Sequence, residues 1–189
     1  MMNTPNKLTI LRIILSFICI GFILQNSLFS FLIAFVIFSL ASITDFLDGY
    51  IARKRNLISD LGKILDPIAD KILIIGVFCA FLELGIVNSW MVSLIMFREF
   101  IITGLRLYGL NKGIVLEAKN FGKHKTVSQV IGIFVILIAL ILSKIMPGSS
   151  TVSFLFGKFI PVLMWYIVII TVSSGIYYFW VNRKAIRTF

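Results

Sequence analysis

The chain has 189 residues, 59% of them hydrophobic and 14% charged, with 18 Lys+Arg against 8 Asp+Glu and a formal net charge of +10. Soluble domains are about 45–50% apolar and roughly 25% charged, so an ordinary globular enzyme, a disordered chain and a disulfide-stapled secreted domain are excluded. The class that remains is an all-α polytopic membrane protein, whose basic excess suits an anionic bilayer surface or phosphate-bearing substrates rather than nucleic acid.

Six apolar runs follow in order: 13–24, 28–43, 72–87, 90–110, 127–142 and 159–181. The third contains Glu83, and the fourth carries Arg98, Glu99 and Arg106. A transmembrane helix needs about 20 residues, so the shorter runs must extend into their polar flanks. Lys7 and Arg12 ahead of the first run imitate a signal peptide. No small-residue cleavage pattern follows, which predicts a retained first helix. Lys and Arg are absent from 25–27 and 85–89 but frequent in 53–63 and 112–125 and at the C-terminus. The positive-inside rule then predicts six spans with both termini cytoplasmic. No linker divides the chain, so residues 1–189 are expected to form one membrane domain. Cys19 and Cys79 fall inside apolar runs and are expected to be free buried thiols. Trp90, Trp165, Tyr177, Tyr178 and Trp180 are expected as interfacial belt residues.

All five aspartates fall between positions 45 and 70. Asp45 and Asp48 are spaced i, i+3, and Asp66 and Asp70 are spaced i, i+4, so each pair shares a helix face. A short connection at 56–60 predicts that the second and third helices are antiparallel neighbours. Their four carboxylates then converge near the cytoplasmic boundary. Such a cluster needs cations or protonation. Oxygen-only ligands suit Mg²⁺ or Mn²⁺ rather than zinc. The competing reading pairs these acids with Arg53, Lys54, Arg55, Lys63 and Lys71 as salt bridges. Small residues beside the acids (Gly49, Ala52 and Gly62) leave room for a ligand or a neighbouring helix. Pro67 is tolerated if its helix starts near 60–63.

The string Asp45-x2-Asp48-Gly49-x2-Ala52-Arg53-x8-Gly62-x3-Asp66-x3-Asp70 resembles the signature of the CDP-alcohol phosphatidyltransferases, with every signature position filled. The resemblance implies a six-helix membrane enzyme that uses CDP-diacylglycerol and two divalent ions. It implies that Asp45, Asp48, Asp66 and Asp70 hold the metals and that Asp70 is also the general base. Asp45, Gly49, Ala52, Arg53 and Gly62 would contact the CDP group. A homodimer is implied by the family alone.

Three further stretches resemble family members that use sn-glycerol 3-phosphate as acceptor: 5–9 with Arg12, 98–100 with 104–106, and 122–126 with Gln129. An anionic acceptor also fits the residues. An arginine deep in an apolar run must face the bundle or a wet cavity, and Arg106 lies about two turns from Arg98 on the same side. With Lys123 and Lys125 these two arginines form a candidate phosphate site. The bland alternatives are an Arg98 pair with Glu99 or another acid, and a positive-inside role for the two lysines. His124, the one histidine, is expected at the interface rather than in catalysis.

Other acceptors (phosphatidylglycerol, serine or inositol phosphate) would use the same chemistry. A transporter would instead spread its acids across the bilayer depth, and a structural protein would make the Asp pattern incidental.

Overall fold

The computed structural model describes residues 4–55, 60–112 and 121–186, and among these there is no β-strand. The long helices are α1 (Thr4–Leu24), α2 (Leu28–Arg55), α3 (Asp60–Glu83), α4 (Ser89–Asn111) and α5 (Phe121–Ile145). A short α6 (Ser150–Phe154) passes through a π-helical turn (Leu155–Phe159) into α7 (Ile160–Ile186). Each apolar run does extend into its polar flanks.

Local chemistry sets the turns. α1 stops before Asn26, whose φ of 52° is left-handed, a conformation that asparagine tolerates better than most residues. Ser27 then caps α2 by accepting from the Ser30 N–H at 3.2 Å. After α3, Gly85 sits at φ 70°, its N–H bonds Leu82 O, and the Ile86 N–H bonds Phe81 O. That pair of bonds is a Schellman stop, which favours glycine at the left-handed position. Asn88 caps α4 by accepting from the Trp90 N–H at 3.0 Å. α3 begins at Asp60 and runs on through Pro67, so Lys63 O loses its intrahelical N–H donor there. Pro161 also lacks an N–H, and it lies two residues beyond the π turn, where the hydrogen-bond register has already shifted.

The six long helices close into a ring by their packing. α1 lies against α2 and α3, α4 against α3 and α7, and α5 against α2 and α7, with α3 also reaching α5. Among the described residues α2 and α3 therefore meet mainly through α1, not along an extended face of their own. α1 packs against both of them, and the facing ends of α2 and α3 that carry the aspartates lie outside the residues whose side chains are described. Close packing explains the α1–α3 contact: Gly76 of α3 has no Cβ, and a Cβ built there would lie 2.6 Å from Ile20 Cδ1 of α1. Phe31, Phe38, Phe78, Phe81, Ile133 and Leu137 are fully enclosed in the core. Phe134 meets Phe35 and Phe38 edge-on at centroid distances of 5.4 and 5.1 Å.

The exterior is apolar as well. Phe17, Phe29, Trp90, Phe97, Val162, Trp165, Ile176 and Trp180 are all exposed. An apolar surface of this extent suits lipid rather than water. Among the described residues, two helical segments, His124–Ile145 and Ser150–Arg183, are long and apolar enough to cross a membrane, and Thr9–Leu24 and Leu28–Thr44 are shorter apolar helices. Cys19 and Cys79 are free; Cys19 is buried, whereas Cys79 is only half-buried.

Candidate active site at one end of the bundle

The up-and-down order of the helices brings the start of α1, the end of α2, the start of α3, the end of α4, the start of α5 and the end of α7 to one end of the ring. The buried polar residues concentrate in that half. All but Ser30 at the start of α2 lie there: Thr9, Arg12 and Ser16 on α1, Glu99 on α4, Lys125 and Gln129 on α5, and Thr171, Ser174 and Asn182 on α7. A buried polar side chain needs partners, and these residues supply much of that for one another.

Glu99 is the centre of the arrangement. Its Oε1 receives Arg98 Nη1 at 3.3 Å and Lys125 Nζ in a close ion pair, and its Oε2 receives Lys71 Nζ at 3.2 Å. The Glu99 side chain is 4% exposed, against 13% for Lys71, 10% for Arg98 and 9% for Lys125. Among the described residues, this one carboxylate carries two cations, Arg98 and Lys125, on a single oxygen. Such a cluster has a residual attraction for an anion.

Arg98 has further contacts. Its Nη2 donates to Ser174 Oγ at 3.1 Å, and Ser174 Oγ donates to Thr171 O at 2.8 Å. Gln129 Nε2 donates to Thr171 Oγ1 at 3.3 Å. The Arg106 guanidinium lies 5.5 Å from the centre of the Tyr178 ring, within cation–π range. Ser174 and Tyr178 are i, i+4 on α7, so the two arginines of α4 face one stripe of that helix. Gly175 belongs to the same contact: a Cβ there would lie 3.0 Å from Arg98 Cγ. Arg98 Nε, Gln129 Oε1 and Tyr178 Oη are buried without a hydrogen-bond partner, so donors and acceptors for a ligand remain in this region.

The expected site residues divide into two groups. Asp45, Asp48, Gly49, Ala52 and Arg53 lie on α2, and Gly62, Asp66 and Asp70 lie on α3. The helical backbone keeps the i, i+3 and i, i+4 offsets that put each acid pair on one face. Their side chains, and that of Lys123, lie outside the described residues, as do residues 56–59. The structure brings Arg98 and Lys125 together, with Arg106 further along α4. The pair of Arg98 with Glu99 is also present, and it coexists with the cluster. His124 is exposed. Tyr178 is 6% exposed and so is not a belt residue; it falls on the inward stripe of α7 beneath Arg106. Trp90, Trp165 and Trp180 are exposed.

Sequence reasoning missed Glu99 as a centre and Lys71 as a member of the cluster. The available signal was an acid beside an arginine deep in an apolar run, since such an acid must be paired. Among the described residues no group of three His, Cys, Asp or Glu could hold a metal ion. The donor set of the α2 and α3 aspartates, four carboxylates on two short-linked helices, fits hard divalent cations.

These features define a class: an all-helical bundle with a lipid-compatible exterior, an aspartate-bearing helix pair and a cation cluster at the same end. The chain belongs to the CDP-alcohol phosphatidyltransferase family, whose model matches residues 2–173. It is 37% identical over 202 residues to CDP-diacylglycerol–glycerol-3-phosphate 3-phosphatidyltransferase of Bacillus subtilis, covering 100% of this chain and 99% of the relative. Proteins of the same name from Rickettsia felis (35% over 184 residues, 96% of each chain) and Rickettsia typhi (35% over 191 residues, 100% and 99%) are also similar.

Proposed function

We propose that this chain transfers the phosphatidyl group of CDP-diacylglycerol to sn-glycerol 3-phosphate, giving phosphatidylglycerophosphate and CMP. The observation that carries this reading is the Lys71–Glu99 ion pair. It joins the cation cluster to α3 one residue beyond Asp70. An acceptor whose phosphate rests on the cluster would lie beside the helix that carries Asp66 and Asp70. The names of the full-length relatives in B. subtilis and Rickettsia give independent support.

Asp45, Asp48, Asp66 and Asp70 would hold the divalent ions, Mg²⁺ or Mn²⁺, on which this family depends. Bound there, such ions neutralise diphosphate charge and make phosphorus more electrophilic. Gly49, Ala52, Arg53 and Gly62, with Asp45, would receive the CDP group. Arg98 and Lys125, with Arg106 and Lys123, would bind the acceptor phosphate, the arginines as planar forks. Asp70 takes the proton from the acceptor hydroxyl. The freed oxygen attacks the lipid-side phosphorus in line, the bond from that phosphorus to the bridging oxygen breaks, and CMP leaves with that oxygen.

The donor's acyl chains stay in lipid, so the site needs a lateral opening to the bilayer. Six spans, cytoplasmic termini, a single domain over 1–189 and a site facing the cytoplasm of the cell membrane complete the proposal. Basic residues at the motif-bearing end support that orientation. The family supports a homodimer. The test is CMP release by purified protein given CDP-diacylglycerol and Mg²⁺, with and without sn-glycerol 3-phosphate. Release that requires this acceptor is expected. Release only with another alcohol would overturn the acceptor, and no release from any alcohol by folded protein would overturn the reaction.

A further inference from the structure

Glu99 is a buried anion in a place otherwise suited to binding anions. Its charge alone opposes a phosphate, so its presence needs another explanation. The geometry supplies one. Lys71 comes from α3, Arg98 from α4 and Lys125 from α5, and Glu99 is the one described carboxylate that all three share. Three cations packed at the centre of a bundle repel one another strongly at low dielectric. Without that shared anion Arg98 and Lys125, which meet on one of its oxygens, would separate. Arg98 is also fixed from the other side by Ser174, which leaves its buried Nε without a partner.

We infer that Glu99 is a positioning residue: it holds Lys71, Arg98 and Lys125 as one preformed cradle for the acceptor phosphate and ties that cradle to the helix carrying Asp70. The inference rests on the proposed reading that these cations bind the acceptor. Glu99 touches neither substrate. It acts by setting where the cations stand, so that binding the acceptor requires little rearrangement.

Charge and position predict opposite signs. If only charge mattered, Glu99→Gln would remove a repulsive anion and lower the KM for sn-glycerol 3-phosphate. If position matters, the KM rises. The experiment compares steady-state CMP release by Glu99→Gln and Glu99→Asp with the parent, varying each substrate, alongside thermal unfolding in detergent. Glu99→Asp keeps the charge and shortens the reach, so it decides the matter if Glu99→Gln does not fold.

A rise of roughly ten- to hundredfold in KM for sn-glycerol 3-phosphate is expected for Glu99→Gln, the size of one lost charge-assisted hydrogen bond. Glu99→Asp should fall between it and the parent, with the KM for CDP-diacylglycerol little changed in both. An unchanged or lowered acceptor KM, or equal rises for both substrates, would overturn the inference. Arg98→Ala and Lys125→Met separate it from the reading beneath. If they raise the acceptor KM and the Glu99 variants do not, only the positioning role fails. If they leave it unchanged, the phosphate site itself fails and the inference falls with it.

Discussion

Lys71 Nζ stands 3.2 Å from Glu99 Oε2, and so fastens α3 to α4 one residue past Asp70. The other oxygen of the same carboxylate holds Lys125 of α5 and Arg98 of α4. The helix that carries half of the aspartate signature is thereby coupled to three cations within the bundle. Buried ion pairs add little net stability, but removing one partner is costly. Glu99→Ala should therefore destabilise the bundle by about 3–5 kcal/mol, a loss visible as a lowered unfolding temperature in detergent. Retained stability would show that the three cations relax without their anion.

Arg98 is pinned at both ends, by Glu99 and by Ser174. Its replacement by lysine keeps the charge and loses the fork. Arg98→Lys is expected to raise the KM for sn-glycerol 3-phosphate about tenfold, near the effect of a single charge-assisted hydrogen bond. Gly175→Ala probes the same side chain without touching its charge, because the added Cβ would lie 3.0 Å from Arg98 Cγ and 3.6 Å from its Nε. A rise of a few-fold in the same KM is expected, with the donor KM constant. Steady-state kinetics with each substrate varied in turn checks both. A parent-like KM in Arg98→Lys would remove Arg98 from the acceptor site.

Asp70→Asn keeps the size of the side chain and removes its basicity. CMP release should fall by roughly 10²–10⁴, the usual contribution of a positioned base. The protein should still fold and still bind CDP-diacylglycerol, since the other three aspartates remain. Parent-like turnover in this variant would assign the proton transfer elsewhere.

The aspartate signature was legible in the sequence because helical offsets are local: i, i+3 and i, i+4 spacing fixes a shared face without knowledge of the tertiary fold. The connections at 25–27 and 85–89 were legible from their break in the apolar runs, but the left-handed turns at Asn26 and Gly85 appear only in the structure. The Glu99 cluster was not. Arg98 and Glu99 are sequence neighbours, but Lys71 and Lys125 reach them only because α3, α4 and α5 meet, and no local spacing encodes that meeting. Tyr178 was misread because an aromatic near a helix end gives no sign of which way it faces until Arg106 is placed above it.

Chelation tests the oxygen donor set directly. EDTA is expected to abolish CMP release, and Mg²⁺ or Mn²⁺ should restore it. Zn²⁺ should be a poorer substitute, because the aspartates offer no nitrogen or sulfur ligand. Full activity in excess EDTA would overturn metal dependence.

The α1–α3 contact offers a test of the fold that is independent of the chemistry. Without water in the bilayer interior, helices associate through close packing, and small residues let backbones approach. Gly76 is such a residue, and the side chain a Cβ would meet there is the flexible tip of Ile20. Gly76→Ala should therefore be mild, as Ile20 can rotate away. Gly76→Leu cannot be accommodated in this way and should destabilise by about 1–3 kcal/mol. Because α1 also packs on α2, activity should decline with stability as the two aspartate helices lose their common support. Unfolding temperatures in detergent for the two variants check the order. Equal temperatures for Gly76→Leu and the parent would mean that α1 and α3 do not approach as closely as described.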